Sequence, residues 1–189
     1  SCEAHRRAMA RARPGMGEWE IQAMVEATFR SFGGDGPAYP TIVASGGNAC
    51  VLHYVDNDDV IGPGDLVLVD AGAARGLYAG DLTRTWPADG SFTPEQLAVY
   101  KVVDRAREHA LAALRPGGTV ADVHDAAVRA LTEGLVALKV LEGDVARLLE
   151  EEAYKPYFPH QTSHWLGLDV HDVGDYARKG ESTRLGPGM

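Results

Sequence analysis

Leu66-Val67-Leu68-Val69-Asp70-Ala71-Gly72 leads through Ala73-Ala74-Arg75-Gly76 into Leu77-Tyr78-Ala79-Gly80-Asp81-Leu82-Thr83-Arg84-Thr85. Apolar, β-forming residues on both sides of a short Gly-containing connection read as one β-hairpin. With Arg75-Gly76 at the tip, Asp70 faces Asp81. Directly opposed residues point to the same side of a sheet, with Cβ atoms roughly 5 Å apart. Two carboxylates so placed must share a proton, meet a cation or be solvated. A hard divalent metal answers this best, because it takes oxygen ligands and removes the repulsion. The plainer outcomes are that one Asp pairs with Arg84 or caps a turn, or that a bulge spoils the opposition.

Length and composition frame this reading. The chain has 189 residues and a formal net charge of −9. That length builds one domain with a core, or two small subdomains. The acidic balance argues against nucleic-acid binding, which needs a basic face. No apolar run approaches membrane-spanning length. The charged start Ser1-Cys2-Glu3-Ala4-His5-Arg6-Arg7 has no apolar stretch after it, unlike a secretory leader. Cys2 and Cys50, the only two cysteines, lie far apart without metal-site spacing, so free thiols in a reducing, cytoplasmic compartment are expected. Both ends look cut: residues 3–13 read as the middle of a helix, and Leu185-Gly186-Pro187-Gly188-Met189 is a turn that leads nowhere.

An internal echo extends the pattern. Ala12-Arg13-Pro14-Gly15-Met16 opens a helical run, and Leu114-Arg115-Pro116-Gly117-Gly118 opens another. Ile61-Gly62-Pro63-Gly64-Asp65 enters the Asp70 strand, and Leu185-Gly186-Pro187-Gly188-Met189 repeats that turn. A repeat reuses one supersecondary unit. It therefore predicts a second carboxylate-bearing strand about as far past Met189 as Asp70 lies past Asp65. Between the repeats, Thr93-Pro94-Glu95-Gln96 is a capping box with Pro at the first helical position. Leu97, Tyr100, Val103, Ala106, Ala110, Leu111 and Leu114 then form one face. Thr119 caps a helix to about Val140, and Asp144 a shorter one to about Ala153. The order of helix, strands, three helices and strands is α+β, with a mostly antiparallel sheet.

His160-Gln161-Thr162-Ser163-His164-Trp165-Leu166-Gly167-Leu168-Asp169-Val170-His171-Asp172 holds three of the seven histidines. A helical zincin pair is disfavoured, since no Glu follows His160 and Pro159 and Gly167 flank the segment. A neutral imidazole can complete a two-carboxylate site, leaving the others for hydrogen bonding or acid–base work. His5, His109 and His124 read as surface residues on helices.

These segments, with Asn48-Ala49-Cys50-Val51-Leu52-His53-Tyr54, resemble the Xaa-Pro aminopeptidases (aminopeptidase P) among the pita-bread metallopeptidases. That family also includes prolidase, methionine aminopeptidase and creatinase. His-x-x-x-His-Trp-Leu-Gly-Leu-Asp-Val-His-Asp points to the proline-specific branch. The resemblance implies the pita-bread fold, a curved, mostly antiparallel sheet with pseudo-twofold helix–strand halves. It implies two divalent metal ions, usually Mn2+ (Co2+ or Zn2+ being alternatives), with Asp70, Asp81 and His164 among the ligands. His53, His160 and His171 match substrate-binding histidines that steady the tetrahedral intermediate. The expected reaction is hydrolysis of the N-terminal Xaa-Pro bond by a metal-bridging hydroxide. The family's last two ligands are glutamates with no counterpart in residues 1–189. The chain therefore reads as an incomplete catalytic domain, inactive by itself, without the family's N-terminal domain. Gln161 departs from the small residue, usually Gly, found beside the first His. The expected partners are peptides with proline second, and the intact enzyme is expected to be a homo-oligomer. Prolidase and a non-catalytic pita-bread binding module are the rival readings.

Overall fold

The computed structural model describes all 189 residues, which divide into two compact units. The first comprises Ser1–Phe92 with Trp165–Val173, the second Thr93–His164 with Gly174–Met189.

The first unit begins with helices α1 (Cys2–Arg11) and α2 (Glu18–Ser31), followed by β1 (Gly36–Pro37) and β2 (Ile42–Ser45). A 3-10 turn at Gly46–Cys50 precedes β3 (Leu66–Asp70), β4 (Ala73–Ala74) and β5 (Thr83–Pro87). Strands β2, β3 and β5 form an antiparallel sheet with β3 in the middle. Alternation along β3 buries Val67 and Val69 on one face. There Ala4 and Ala8 of α1 and Ile21, Val25 and Phe29 of α2 pack against Val43, Val67, Val69 and Trp86. Asp70 belongs to the other face, with Leu68 and its neighbours Ile42 and Ala44; Ala49 and Tyr54 from the loop after β2 pack there. Helices thus cover one side, leaving the other for a site.

The hairpin forms, but its register differs from the sequence expectation by two residues. Asp70 pairs with Thr83, and the terminal bridge is Arg75 to Tyr78. The tip is therefore Gly76-Leu77, both at positive φ (56° and 75°), as a type I′ turn requires. Gly at the second tip position was the usual cue; here Leu77 accepts the left-handed conformation instead. An even shift preserves the face, so Asp81 stays on the same side as Asp70 but becomes its diagonal neighbour. The residue across from Asp81 is Gly72, whose Gly identity is required: a Cβ there would lie 1.6 Å from the Gly80 carbonyl oxygen.

In the second unit, α3 (Pro94–Ala113) starts at the predicted cap, with Thr93 Oγ1 accepting from the Gln96 amide and Gln96 Oε1 from the Thr93 amide. It packs on α4 (Val120–Ala137) through Ala106 and Ala110, with Val102 beside them, rather than through the bulky residues of the expected face. Val103, Leu111 and Leu114 are exposed, against the expected single apolar face. Close approach explains the choice, since a Cβ on Gly134 would meet Val102 at 2.3 Å. Helix α5 (Val145–Glu150) is capped by Asp144, as expected, but ends sooner. The chain from His160 to Asp172 is irregular rather than strand, and only β6 (Ala177–Arg178) and β7 (Glu181–Ser182) follow.

The internal repeat is visible in the hydrogen bonds. In the first unit the Gly15 amide donates to the Ile61 carbonyl (2.8 Å) and the Ile61 amide to that of Met16 (2.9 Å). In the second, Gly117 donates to Leu185 and Leu185 to Gly118, both at 2.8 Å. Bridges Gly17–Val60 and Thr119–Arg184 continue each pattern. Gly15 and Gly117 both adopt left-handed φ (88° and 86°), which makes glycine the residue of choice at each turn.

Candidate metal centre and histidine groups

Asp70 ends β3 half-buried, and Asp81 lies exposed two residues before β5. One hydroxyl gathers them: Tyr39 Oη is 2.6 Å from Asp70 Oδ1 and 2.9 Å from Asp81 Oδ1. Tyr39 is placed by the short strand β1, whose register with β4 is followed by a bond from the Ala38 amide to the Gly72 carbonyl (2.8 Å). Burial, then the hydrogen bond and charge of Asp70 and the charge of Asp81, push the Tyr39 phenol well above its ordinary range. It stays protonated and acts as a donor. A phenol carries one proton, however, and cannot fully satisfy two carboxylates at once. The donor set of two converging hard oxygens sharing one neutral proton suits a divalent cation. Arg84, the alternative partner weighed from sequence, turns its Nη1 to the Thr83 carbonyl (2.6 Å).

The first unit also brings His53 and His171 together, with ring centroids 6.3 Å apart and planes inclined by 51°. His171 arrives on the segment 165–173. That segment is held to the Asp81 hairpin by the bond from the Ala79 amide to the Gly167 carbonyl (2.8 Å). A Cβ added at Gly167 would fall 1.9 Å from Asp172 Oδ2, so a side chain there would displace the Asp172 carboxylate. His53 sits at φ 56°, an unusual conformation for a residue with a side chain.

The remaining histidines lie elsewhere. In the second unit His160 meets Phe158 edge-on (4.4 Å), and Phe158 stacks on His124 (6.0 Å). His124, expected at the surface, is instead half-buried, with Nδ1 2.7 Å from Thr162 Oγ1. Burial, the leading cause, lowers its pKa, with His160 adding in the same direction and Asp125 opposing. His164 belongs to the second unit, in irregular chain. No set of three or more His, Cys, Asp or Glu side chains forms a metal-holding group; the structure gathers the two aspartates. His5 is a second correction: only 1% exposed, it contacts the carbonyls of Ser1 (3.2 Å) and Val69 (3.4 Å). His109 is exposed, as expected.

Sequence reasoning overlooked Tyr39 and Glu18. The Glu18 side chain is fully buried, yet an acid in the first turn of a helix ordinarily signals only a favourable dipole. Nothing local marks Tyr39 either.

Residues 1–189 match the profile of metallopeptidase family M24. The chain belongs to that family. Over 186 residues it is 46% identical to an Escherichia coli Xaa-Pro aminopeptidase, covering 98% of this chain and 42% of that protein. The structure of Pseudomonas aeruginosa aminopeptidase PepP superposes with a TM-score of 0.97 at 50% identity, covering 99% of this chain and 42% of the other. A human Xaa-Pro dipeptidase is 38% identical over 181 residues, 93% of this chain and 37% of that protein. The M24 chain therefore has the pita-bread fold of the aminopeptidase P structures, with mixed helix and antiparallel sheet. It spans about two-fifths of the length of these relatives. Membership in a metallopeptidase family implies a divalent-metal centre, in accord with the chemistry of the Asp70–Asp81 pair. No helix is long and apolar enough to cross a membrane.

Proposed function

We propose that this chain carries part of the catalytic site of a dinuclear-metal, cytoplasmic aminopeptidase that releases the first residue of peptides with proline second. The observation that carries this reading is the convergence of Asp70 and Asp81 on one hydroxyl, in a chain whose relatives include Xaa-Pro aminopeptidases. Asp70 and Asp81 would hold the ions, Mn2+ foremost, with His164 supplying the nitrogen ligand. When bound, two such ions acidify a water and polarise the scissile carbonyl. Tyr39 donates its proton to the carboxylate pair and fixes their direction. His53 and His171, paired on one unit, present N–H donors to the substrate carbonyl as negative charge develops on its oxygen. His160 contributes a further substrate contact. The proposal also includes a homo-oligomeric intact enzyme.

The test uses the full-length protein with Mn2+ and an Xaa-Pro-Yaa peptide. Release of Xaa is expected, with loss on chelation and in Asp70→Asn and Asp81→Asn. Unchanged turnover in both variants would refute the assignment. Residues 1–189 alone should not turn over, because two of the family's glutamate ligands have no match in them. The human dipeptidase relative favours a second reading, Xaa-Pro dipeptidase activity. Cleavage of Xaa-Pro with none of Xaa-Pro-Yaa would select it.

A further inference from the structure

Glu18 is fully buried and meets no Lys or Arg; hydrogen-bond donors surround it. Its Oε1 accepts from the Ser45 amide (2.7 Å), the Ser45 hydroxyl (2.8 Å) and Asn48 Nδ2 (3.3 Å). Its Oε2 accepts from Tyr54 Oη (2.8 Å) and the Asp59 amide (3.2 Å). Burying a carboxylate is unfavourable unless donors replace its water. Five donors in one place are more than the start of a helix needs. They come from the chain that leaves β2, turns through Gly46–Cys50 and returns past His53. The loop is thus tied on both sides of its tip, at Asn48 and at Tyr54, to one anion. Asn48 Nδ2 also donates to Tyr54 Oη (3.0 Å), closing the ring. Burial, then the bond to Glu18, raises the Tyr54 phenol, so it remains a donor.

We propose that Glu18 is a positioning residue that, through Tyr54 and Asn48, holds the loop of residues 46–54 so that His53 faces His171. His53 occupies a left-handed backbone conformation, which for a non-glycine residue persists only where its surroundings impose it. Tyr54 is the next residue, and its ring is buried beneath the loop against the Asp70 face of the sheet. Fixing its hydroxyl fixes the direction in which the chain passes through His53. The carboxylate acts through the loop and touches no substrate. This inference rests on the role given to His53 above.

The test uses full-length protein. Glu18→Gln keeps the volume but points an NH2 group at donors. Tyr54→Phe removes one hydroxyl and leaves the ring, and serves if the first variant does not fold. Each is expected to lower kcat/KM by about 10-fold or more, the range for groups that orient an active residue. Neither should lower activity further when combined with His53→Ala. Mn2+ affinity measured by calorimetry should be unchanged. In the metal-free protein each variant should move the His53 ring-proton resonance and weaken its cross-peak to His171. Full activity, an unmoved His53 resonance, or a loss that persists undiminished on the His53→Ala background would overturn the proposal. Full activity of His53→Ala would instead refute the role of His53 and this inference with it. Wild-type behaviour of the Glu18 and Tyr54 variants beside an impaired His53→Ala would refute the inference alone.

Discussion

At Tyr39 a single proton lies between two carboxylates. Taking away the hydroxyl should remove the donor that the two carboxylates share and increase their repulsion before any ion arrives. Tyr39→Phe is therefore expected to weaken Mn2+ binding about 10-fold, measured by calorimetric titration of full-length protein. Unchanged affinity would show that the strands alone set the pair. His5 supports a prediction of a different kind. Burial, its leading cause, lowers its pKa from 6.5, while bonds to the Ser1 and Val69 backbone act the other way. Above the unfolded value both states are neutral and the group adds no pH dependence. As pH falls through about 6.5 the unfolded chain takes up the proton first, so stability is lost toward acid. His5→Gln should flatten that part of the profile. Urea unfolding at pH 7.5 and 5.5 checks it, and an equal loss in both proteins would contradict it. Neither residue's part could be read locally. Tyr39 reaches partners 31 and 42 positions away. His5 stands among charged neighbours on α1 that look solvent-facing, though one side of that helix is packed.

The hairpin shows what local patterning does and does not determine. Alternation in β3 and the face shared by Asp70 and Asp81 were legible, because a period of two survives an even slip. The register was not legible, because it depends on which dipeptide takes left-handed backbone, and Leu77 carries no cue for that. Leu77 is 80% exposed and packs on little. Leu77→Gly should thus stabilise the unit by about 1 kcal/mol, the usual excess of a side chain in that conformation. Gly72→Ala should destabilise it by roughly 3 kcal/mol through steric overlap with the opposite strand. Thermal and urea unfolding compare the two, and a neutral Gly72→Ala would mean the strands can part. Caps were the most readable elements: Thr93, Thr119 and Asp144 each accept the expected amide, because the motif is complete within four residues. The face of α3 was misread because Ala106, Ala110 and Val102, not Val103, Leu111 and Leu114, make the contact with α4.

For the whole chain, family and fold followed from motifs spread along the sequence, whereas the grouping of site residues required coordinates. The pair of aspartates and the pair His53–His171 are seen together within one unit. The duplicated clamp between each Pro-Gly turn and its later partner has a further consequence for how the polypeptide could have lengthened. Gly15 and Ile61 are 46 positions apart, whereas Gly117 and Leu185 are 68 apart. The second loop holds the additional helix α5. Closing a flexible loop becomes less favourable only as the logarithm of its length, so the longer one is disfavoured by roughly 0.3 kcal/mol relative to the shorter. That is below thermal energy at room temperature. Two copies of one clasp can therefore enclose unequal stretches with almost the same closure entropy, leaving the enclosed segment free to gain a helix without loosening the clasp.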